Sequence, residues 1–171
     1  RIADNGRLYQ SYLGKKLSHE TDISHLPHGT EAYITHGMED YFEPAIHILH
    51  NDGNPSLLLK YVSHETKAVS QGVNETIITL GDDKYPVTVK LHYVTYPAED
   101  IIKTYTEISH KEKKPVVLHQ YASSMLHLNR AKYYLTEFAG DWAHEANISD
   151  QPLEFGKKVL DTKLGARANM F

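Results

Sequence analysis

Twelve histidines in a chain of 171 residues invite a search for metal ligands. His19-Glu20, His64-Glu65 and His144-Glu145 each begin like the HExxH pair of a zinc peptidase, but none has a His four positions after the first. His25-x-x-His28 and His47-x-x-His50 have spacings that a loop could fold around zinc. Neither has a second pair at zinc-finger distance, and on a strand positions 47 and 50 point to opposite faces. No metal and no cofactor is therefore expected. Carboxylates are the other candidates, because two of them can serve as acid, base or nucleophile at a glycosidic bond. Glu39, Asp40 and Glu43 share one loop, Glu99-Asp100 a turn, and Asp141 and Glu145 lie on either side of Trp142. Acidic residues occupy turns for solvation alone, as at Asp82-Asp83, so no catalytic residue is assigned. Nucleophile-elbow, P-loop and dinucleotide-binding signatures are absent. Tyr41, Phe42 and Trp142 could offer ring faces to a sugar. For Trp142, the single Trp, burial as an anchor behind the Gly140 corner is favoured.

Composition narrows the classes. With 18 basic and 22 acidic residues the net charge is −4, and the basic runs Lys15-Lys16 and Lys111–Lys114 are short. A nucleic-acid partner needs a basic face that releases counterions, so none is expected. The hydrophobic share of 40% and charged share of 23% argue against disorder. The lack of Cys excludes a disulfide framework. It fits the cytoplasm, slightly favoured, as well as a disulfide-free exported protein. No apolar run reaches 18 residues, so neither a transmembrane helix nor a membrane partner is expected. Residues 1–10 lack an apolar signal core, and a start at Arg1 reads as a fragment or a processed form. Asn74-Glu75-Thr76 and Asn147-Ile148-Ser149 match the glycosylation sequon, a tripeptide common by chance.

The elements that must position these residues read as strands. Alternation places them at Arg7–Leu13, Glu31–Thr35, Ala45–His50, Leu57–Ala68, Glu75–Leu80, Tyr85–Tyr96 and Ile101–His110. Turn residues such as Asp4-Asn5-Gly6 and Gly81-Asp82-Asp83-Lys84 separate them. Pro115 to Glu145 reads as a long strand covered on both faces, a tight turn at Asn129–Ala131, a second strand Lys132–Phe138 and a Gly-Asp-Trp corner. Residues 143–156 read as loop or short helix, and Lys157–Leu164 as a last strand. The expectation is an all-β chain, a large antiparallel sandwich forming one domain over residues 1–171.

Particular residues say more than their periodicity. YASSMLHLNRAKYYLTEFAGDWAHE, the terminal KLGARANMF, NGRLYQSYLGKKL and the loop HGMEDYFEPAI together resemble the N-terminal domain of glycoside hydrolase family 36 α-galactosidases (melibiases). The likeness runs from about Ile2 to the end. It implies a β-supersandwich like that of galactose mutarotases, placed ahead of a catalytic (β/α)8 barrel. In that family the Asp nucleophile and Asp acid/base lie in the barrel, so this chain alone is expected to be inactive. The parent would be a retaining enzyme for raffinose- or melibiose-type α-galactosides. The resemblance further implies a tetramer in which residues 36–44 approach a neighbour's active-site mouth. Asp40, Tyr41 and Phe42 would then be substrate-proximal, and Gly140 and Trp142 structural anchors. Phe42 stands where the family often has Arg, which puts a polar sugar contact there in doubt. Two further readings stay open, an independent carbohydrate-binding module and a mutarotase-like enzyme. Fold alone does not carry the latter activity.

Overall fold

The computed structural model describes residues 1–14, 17–24, 29–38, 42–128, 132–141 and 144–161. Among these described residues ten strands follow one another: β1 Tyr9–Gln10, β2 Thr30–Glu31, β3 Ile46–Leu49, β4 Lys60–Ser70, β5 Val73–Gly81, β6 Val87–Tyr96, β7 Ile101–His110, β8 Val117–Tyr121, β9 Tyr134–Asp141 and β10 His144–Pro152. All strand pairs are antiparallel. The all-β reading holds. The chain divides into two compact units, Arg1–His127 and Leu128–Phe171.

The first unit is built on the meander β4-β5-β6-β7. Its turns are written in the sequence. Gly72 takes φ +77 in the two-residue link between β4 and β5, a conformation that costs glycine nothing. Asp82 caps the link between β5 and β6. One carboxylate oxygen accepts the amides of Lys84 (2.7 Å) and Tyr85 (2.9 Å), and the other accepts Leu58 N–H at 2.6 Å. Asp82 is thus a fastener between the turn and the chain entering β4, more than the solvated turn residue expected. Residues 97–100 join β6 and β7, whose register runs unbroken from Val87↔His110 to Tyr96↔Ile101.

The inward face of the meander carries Leu80, Val87, Val89 and Leu91, all buried. They pack with Leu8, Tyr33, Ala45, Ile46, Ile48, Leu57 and Leu59. Burying an aliphatic side chain of this size stabilises by roughly 1.5–3 kcal/mol, so this cluster carries the unit. β3 pairs with β8 and β1 with β2. The strand expected over Arg7–Leu13 shortens to Tyr9–Gln10, beside an isolated bridge Ile2↔Leu8 across the Asn5-Gly6 turn. A buried ion pair ties the segment leading into β1 to β2. Arg7 Nε donates to Glu31 Oε1 at 3.1 Å, and Nη2 donates to Oε2.

The 115–145 reading needs correction. The strand there is five residues long, it pairs with β3, and Val117, Leu118 and Tyr121 are exposed instead of covered on both faces. Beyond Tyr121 the backbone bonds singly to other elements. Ala122 N–H donates to Ala45 O at 2.7 Å, and its carbonyl accepts Tyr33 Oη–H at 2.8 Å. Ser123 O accepts Thr106 Oγ1–H at 3.0 Å, and His127 O accepts Gln10 Nε2–H at 2.8 Å. Bonds to side chains can satisfy a segment without a ladder, and alternation does not reveal them. The expected turn at Asn129–Ala131 lies outside the described residues.

In the second unit β9 pairs with β10, so the strands on either side of residues 129–131 are not partners. The stretch expected to be loop or helix is β10, with a register shift between His144 and Asn147 and Ala146 at φ +52. Of the strand expected over 157–164, residues 157–161 carry no strand and the rest lie outside the described residues.

Candidate functional site

The loop singled out from sequence, 36–44, belongs to the first unit and is followed by β3. Its stems are fixed by backbone. His36 N–H donates to Ile46 O at 3.0 Å, and Ala45 N–H donates to Ile34 O at 2.7 Å. Thr35, buried, donates its hydroxyl to Leu57 O at 2.6 Å. Gly37, at φ +84, lies where a Cβ would come within 3.2 Å of Ser56 Oγ, so both conformation and space favour glycine. Gln120 of β8 closes the returning stem, donating to Pro44 O at 2.8 Å and to Glu43 Oε1 at 3.3 Å.

Phe42 is 64% exposed. Asp40 and Tyr41 lie outside the described residues, as does Trp142. Gly140 sits exposed in β9. The structure therefore brings Phe42 to the surface at the loop and shows nothing of a cluster with the other two substrate-proximal candidates.

Three imidazoles lie together beside the loop's stems. His36 and His47 stack with centroids 3.8 Å apart and planes at 19°, and His119 lies 4.9 Å from His47 at 38°. Burial, then the adjacent His36 and His119, push His47 below the ordinary imidazole pKa. Facing rings do not converge their nitrogens on one point, and among the described residues no group of three or more His, Asp or Glu could hold a metal. His47, in β3, is half-buried, whereas His50, one residue past the end of that strand, is buried.

Two further networks were not visible in the sequence. On the outward face of the meander, Glu75 accepts Tyr105 Oη–H at 2.6 Å, His92 Nδ1 at 2.9 Å and Lys67 Nζ at 2.9 Å. These donors hold its pKa down at about 2, and the same bond pushes Tyr105 up to about 12. The His92 ring stacks on Tyr105, centroids 4.2 Å apart. The second network centres on His50, stacked on Tyr85 at 3.6 Å, with Nδ1 bonded to Glu112 Oε1 at 2.6 Å and Nε2 to Ser56 O at 3.1 Å. Burial acts to raise the Glu112 pKa, but bonds from His50 and Asn51 outweigh it and hold the carboxyl below its usual range. Glu112 comes from the Lys-Glu-Lys-Lys run read as a charged turn. Its buried side chain is a correction to that reading. Contact order explains the omission, since Glu75 and His92 are 17 residues apart and His50 and Glu112 are 62 apart.

Chemically, these carboxylates are saturated with donors and ionised at neutral pH. A general acid or base needs a pKa near the working pH and room for a substrate proton, and neither Glu75 nor Glu112 offers that. Glu99 and Asp100 sit exposed in the turn between β6 and β7. An apolar cavity of about 650 Å³, lined chiefly by Tyr9, Tyr12, Leu13, Ile78, Tyr93 and Ile102, opens beside the N-terminal segment.

Comparison with known proteins bears on what such a scaffold is for. The family described as glycosyl hydrolase family 36 N-terminal domain matches residues 6–170. A probable alpha-galactosidase G of Aspergillus terreus is 23% identical over 147 residues, covering 78% of this chain and 20% of that protein. The galactosidase domain of an alpha-galactosidase-sucrose kinase, AgaSK, superposes with a TM-score of 0.81 at 20% identity, over 91% of this chain and 26% of the other. The same values hold for a family 36 alpha-galactosidase, AgaA, of Geobacillus stearothermophilus crystallised with raffinose. The chain thus spans about a fifth of the length of the curated relative.

Proposed function

Because the chain belongs to the glycosyl hydrolase family 36 N-terminal domain family, we propose that it is the non-catalytic N-terminal domain of a retaining α-galactosidase, both units serving as parts of one supporting body. The family match over residues 6–170 carries this reading. The saturated carboxylates support it, since they leave the buried acids of the described residues no free proton chemistry. The partner is a catalytic barrel in the same chain, and the parent's substrates are terminal α-galactosides. Exposed apolar residues on edge strands, among them Val62, Val69, Ile101 and Ile102, supply surface for packing against the barrel or a neighbouring subunit of a homo-oligomer. Within that assembly the 36–44 loop, with Asp40, Tyr41 and Phe42, lies near the substrate entrance, and Gly140 and Trp142 anchor the fold.

The test is turnover of p-nitrophenyl α-galactoside. The 171-residue chain is expected to show none, and a protein that joins it to a family 36 barrel is expected to show it. Turnover by a clean preparation of the chain alone, abolished by no contaminant control, would overturn the proposal. The exposure of Phe42 favours one second reading, a sugar-binding surface. Titration with galactose, melibiose and raffinose to millimolar concentrations, followed by calorimetry, separates the two. Heat that saturates and disappears in Phe42→Ala supports sugar binding, and a flat trace removes it.

A further inference from the structure

β4 is a terminal strand of the meander and pairs on one side only, with β5. Among the described residues its other edge takes one backbone bond, Tyr61 N–H to Gly6 O at 2.8 Å, and residues 62–70 beyond it are exposed. Proteins usually blunt such an edge with Pro, with bulges or with a Lys held over it. β4 has no Pro and no Gly, and Lys67 reaches across to Glu75 Oε2 on β5, at 2.9 Å. Its register shifts lie at Tyr61/Ser63 and Ala68/Ser70, so 63–68 is left as a regular edge of six residues, the length of an ordinary strand. We propose that this edge pairs antiparallel with the same edge of a second copy, about a two-fold axis at Thr66, and joins two four-stranded sheets into one. The proposal rests on the reading of the chain as part of a homo-oligomer and names the surface and register of that contact.

The charge pattern selects both the register and the occupant. Antiparallel strands related by a two-fold axis share their faces, so only residues of the same parity can stand opposite one another. Positions 65 and 67 lie on the outward face of β4, opposite Ile77 and Glu75 of β5. Pairing centred on Thr66 sets Glu65 of each copy opposite Lys67 of the other, Thr66 opposite its own counterpart, and His64 opposite Ala68. Opposite charges directly across a ladder stabilise it, and like charges there destabilise it. Sliding to either neighbouring allowed register sets Glu65 opposite Glu65 or Lys67 opposite Lys67. The Glu-Thr-Lys triplet therefore favours one register and repels the next two. That register is self-complementary, which is what a closed two-fold dimer requires. An unrelated extended peptide would have to bring Lys and Glu at matching places, whereas a second copy brings them by symmetry.

The chain holds no Cys, so a single introduced thiol cross-links only to its own counterpart. Directly opposite positions have Cβ atoms about 4.5–5.5 Å apart, close to the reach of a disulfide. On mild oxidation Thr66→Cys, at an exposed position, is expected to give a disulfide-linked dimer of the 171-residue chain. Its rate should exceed that of Ala68→Cys at least tenfold, because the two sulfurs of the latter lie four residues, roughly 13 Å, out of register. Sedimentation velocity of the wild type at about 100 µM is expected to show a dimer. Glu65→Lys, which sets like charges opposite one another, is expected to raise the dissociation constant at least tenfold. A wild-type monomer at that concentration, equal cross-linking rates at positions 66 and 68, or a dimer indifferent to Glu65→Lys would overturn the proposal. If Thr66→Cys loses the wild-type circular dichroism, the two sedimentation measurements decide alone. Neither readout involves turnover, so failure here leaves the supporting-domain reading standing, and turnover by the chain alone leaves the strand pairing standing.

Discussion

β6 and β9 look alike as sequence: VTVKLHYVTY and YLTEFAGD both alternate apolar and polar residues. Their surroundings differ completely. In β6, Val87, Val89 and Leu91 are buried against β3 and the segments around it, and Val94 is buried on the opposite face. In the second unit, Tyr134 and Phe138 of β9 and Ile148 of β10 are each at least 60% exposed, on one face of a two-stranded ladder whose register sets Phe138 opposite Ile148. Two strands alone are marginal in water, and an apolar face of this kind is complete only when another layer covers it. Alternation announces a strand and says nothing about whether its apolar face is covered.

The sharpest break of that contrast is Glu31→Gln in the first unit. It takes the carboxylate from a buried Arg7 guanidinium, and urea unfolding is expected to show a loss of about 3–5 kcal/mol. Leu80→Ala, which opens a cavity in the same core, is expected to cost about 2–5 kcal/mol by the same measurement. Acid is the next probe. The Glu75 carboxyl is depressed from 4.5 to about 2, so the stability that it contributes is present above 4.5 and lost as pH falls toward 2. The urea midpoint should decline across that window in the wild type and more shallowly in Glu75→Gln. Phe138→Ser is the smallest, expected within about 0.5 kcal/mol of the parent chain because the ring it removes is already in water. Repeated in a protein that carries the catalytic barrel, the same substitution sharpens the comparison. A cost several times larger there means that the barrel covers this face.

Much of the frame was legible. Ile101–His110 was placed to the residue, and the strand read over Tyr85–Tyr96 is β6, which starts two residues later. The Asn5-Gly6 turn followed from residues that tolerate positive φ, as Gly6 does at +82. What failed depended on partners far along the chain. The reading of 116–128 as one long strand assumed a local hairpin, whereas β8 pairs with β3, about 70 residues earlier. At the candidate site, the stems and exposure of Phe42 were within reach of pattern reasoning, but the histidine column was not. His36, His47 and His119 are separated in sequence by intervals that match no ligand motif, and it is the bond from His36 N–H to Ile46 O together with the β3–β8 ladder that brings them side by side.

By itself the sequence determined the all-β class, the order of the meander and, through particular residues such as those of the Trp142 corner and the 36–44 loop, the family. Those properties are local, written in alternation, turn residues and identity. Tertiary structure alone decided which acids are buried and saturated, which histidines stack and which apolar faces lie open. Each of these depends on the free energy of bringing distant residues into one low-dielectric place, and no spacing along the chain encodes that.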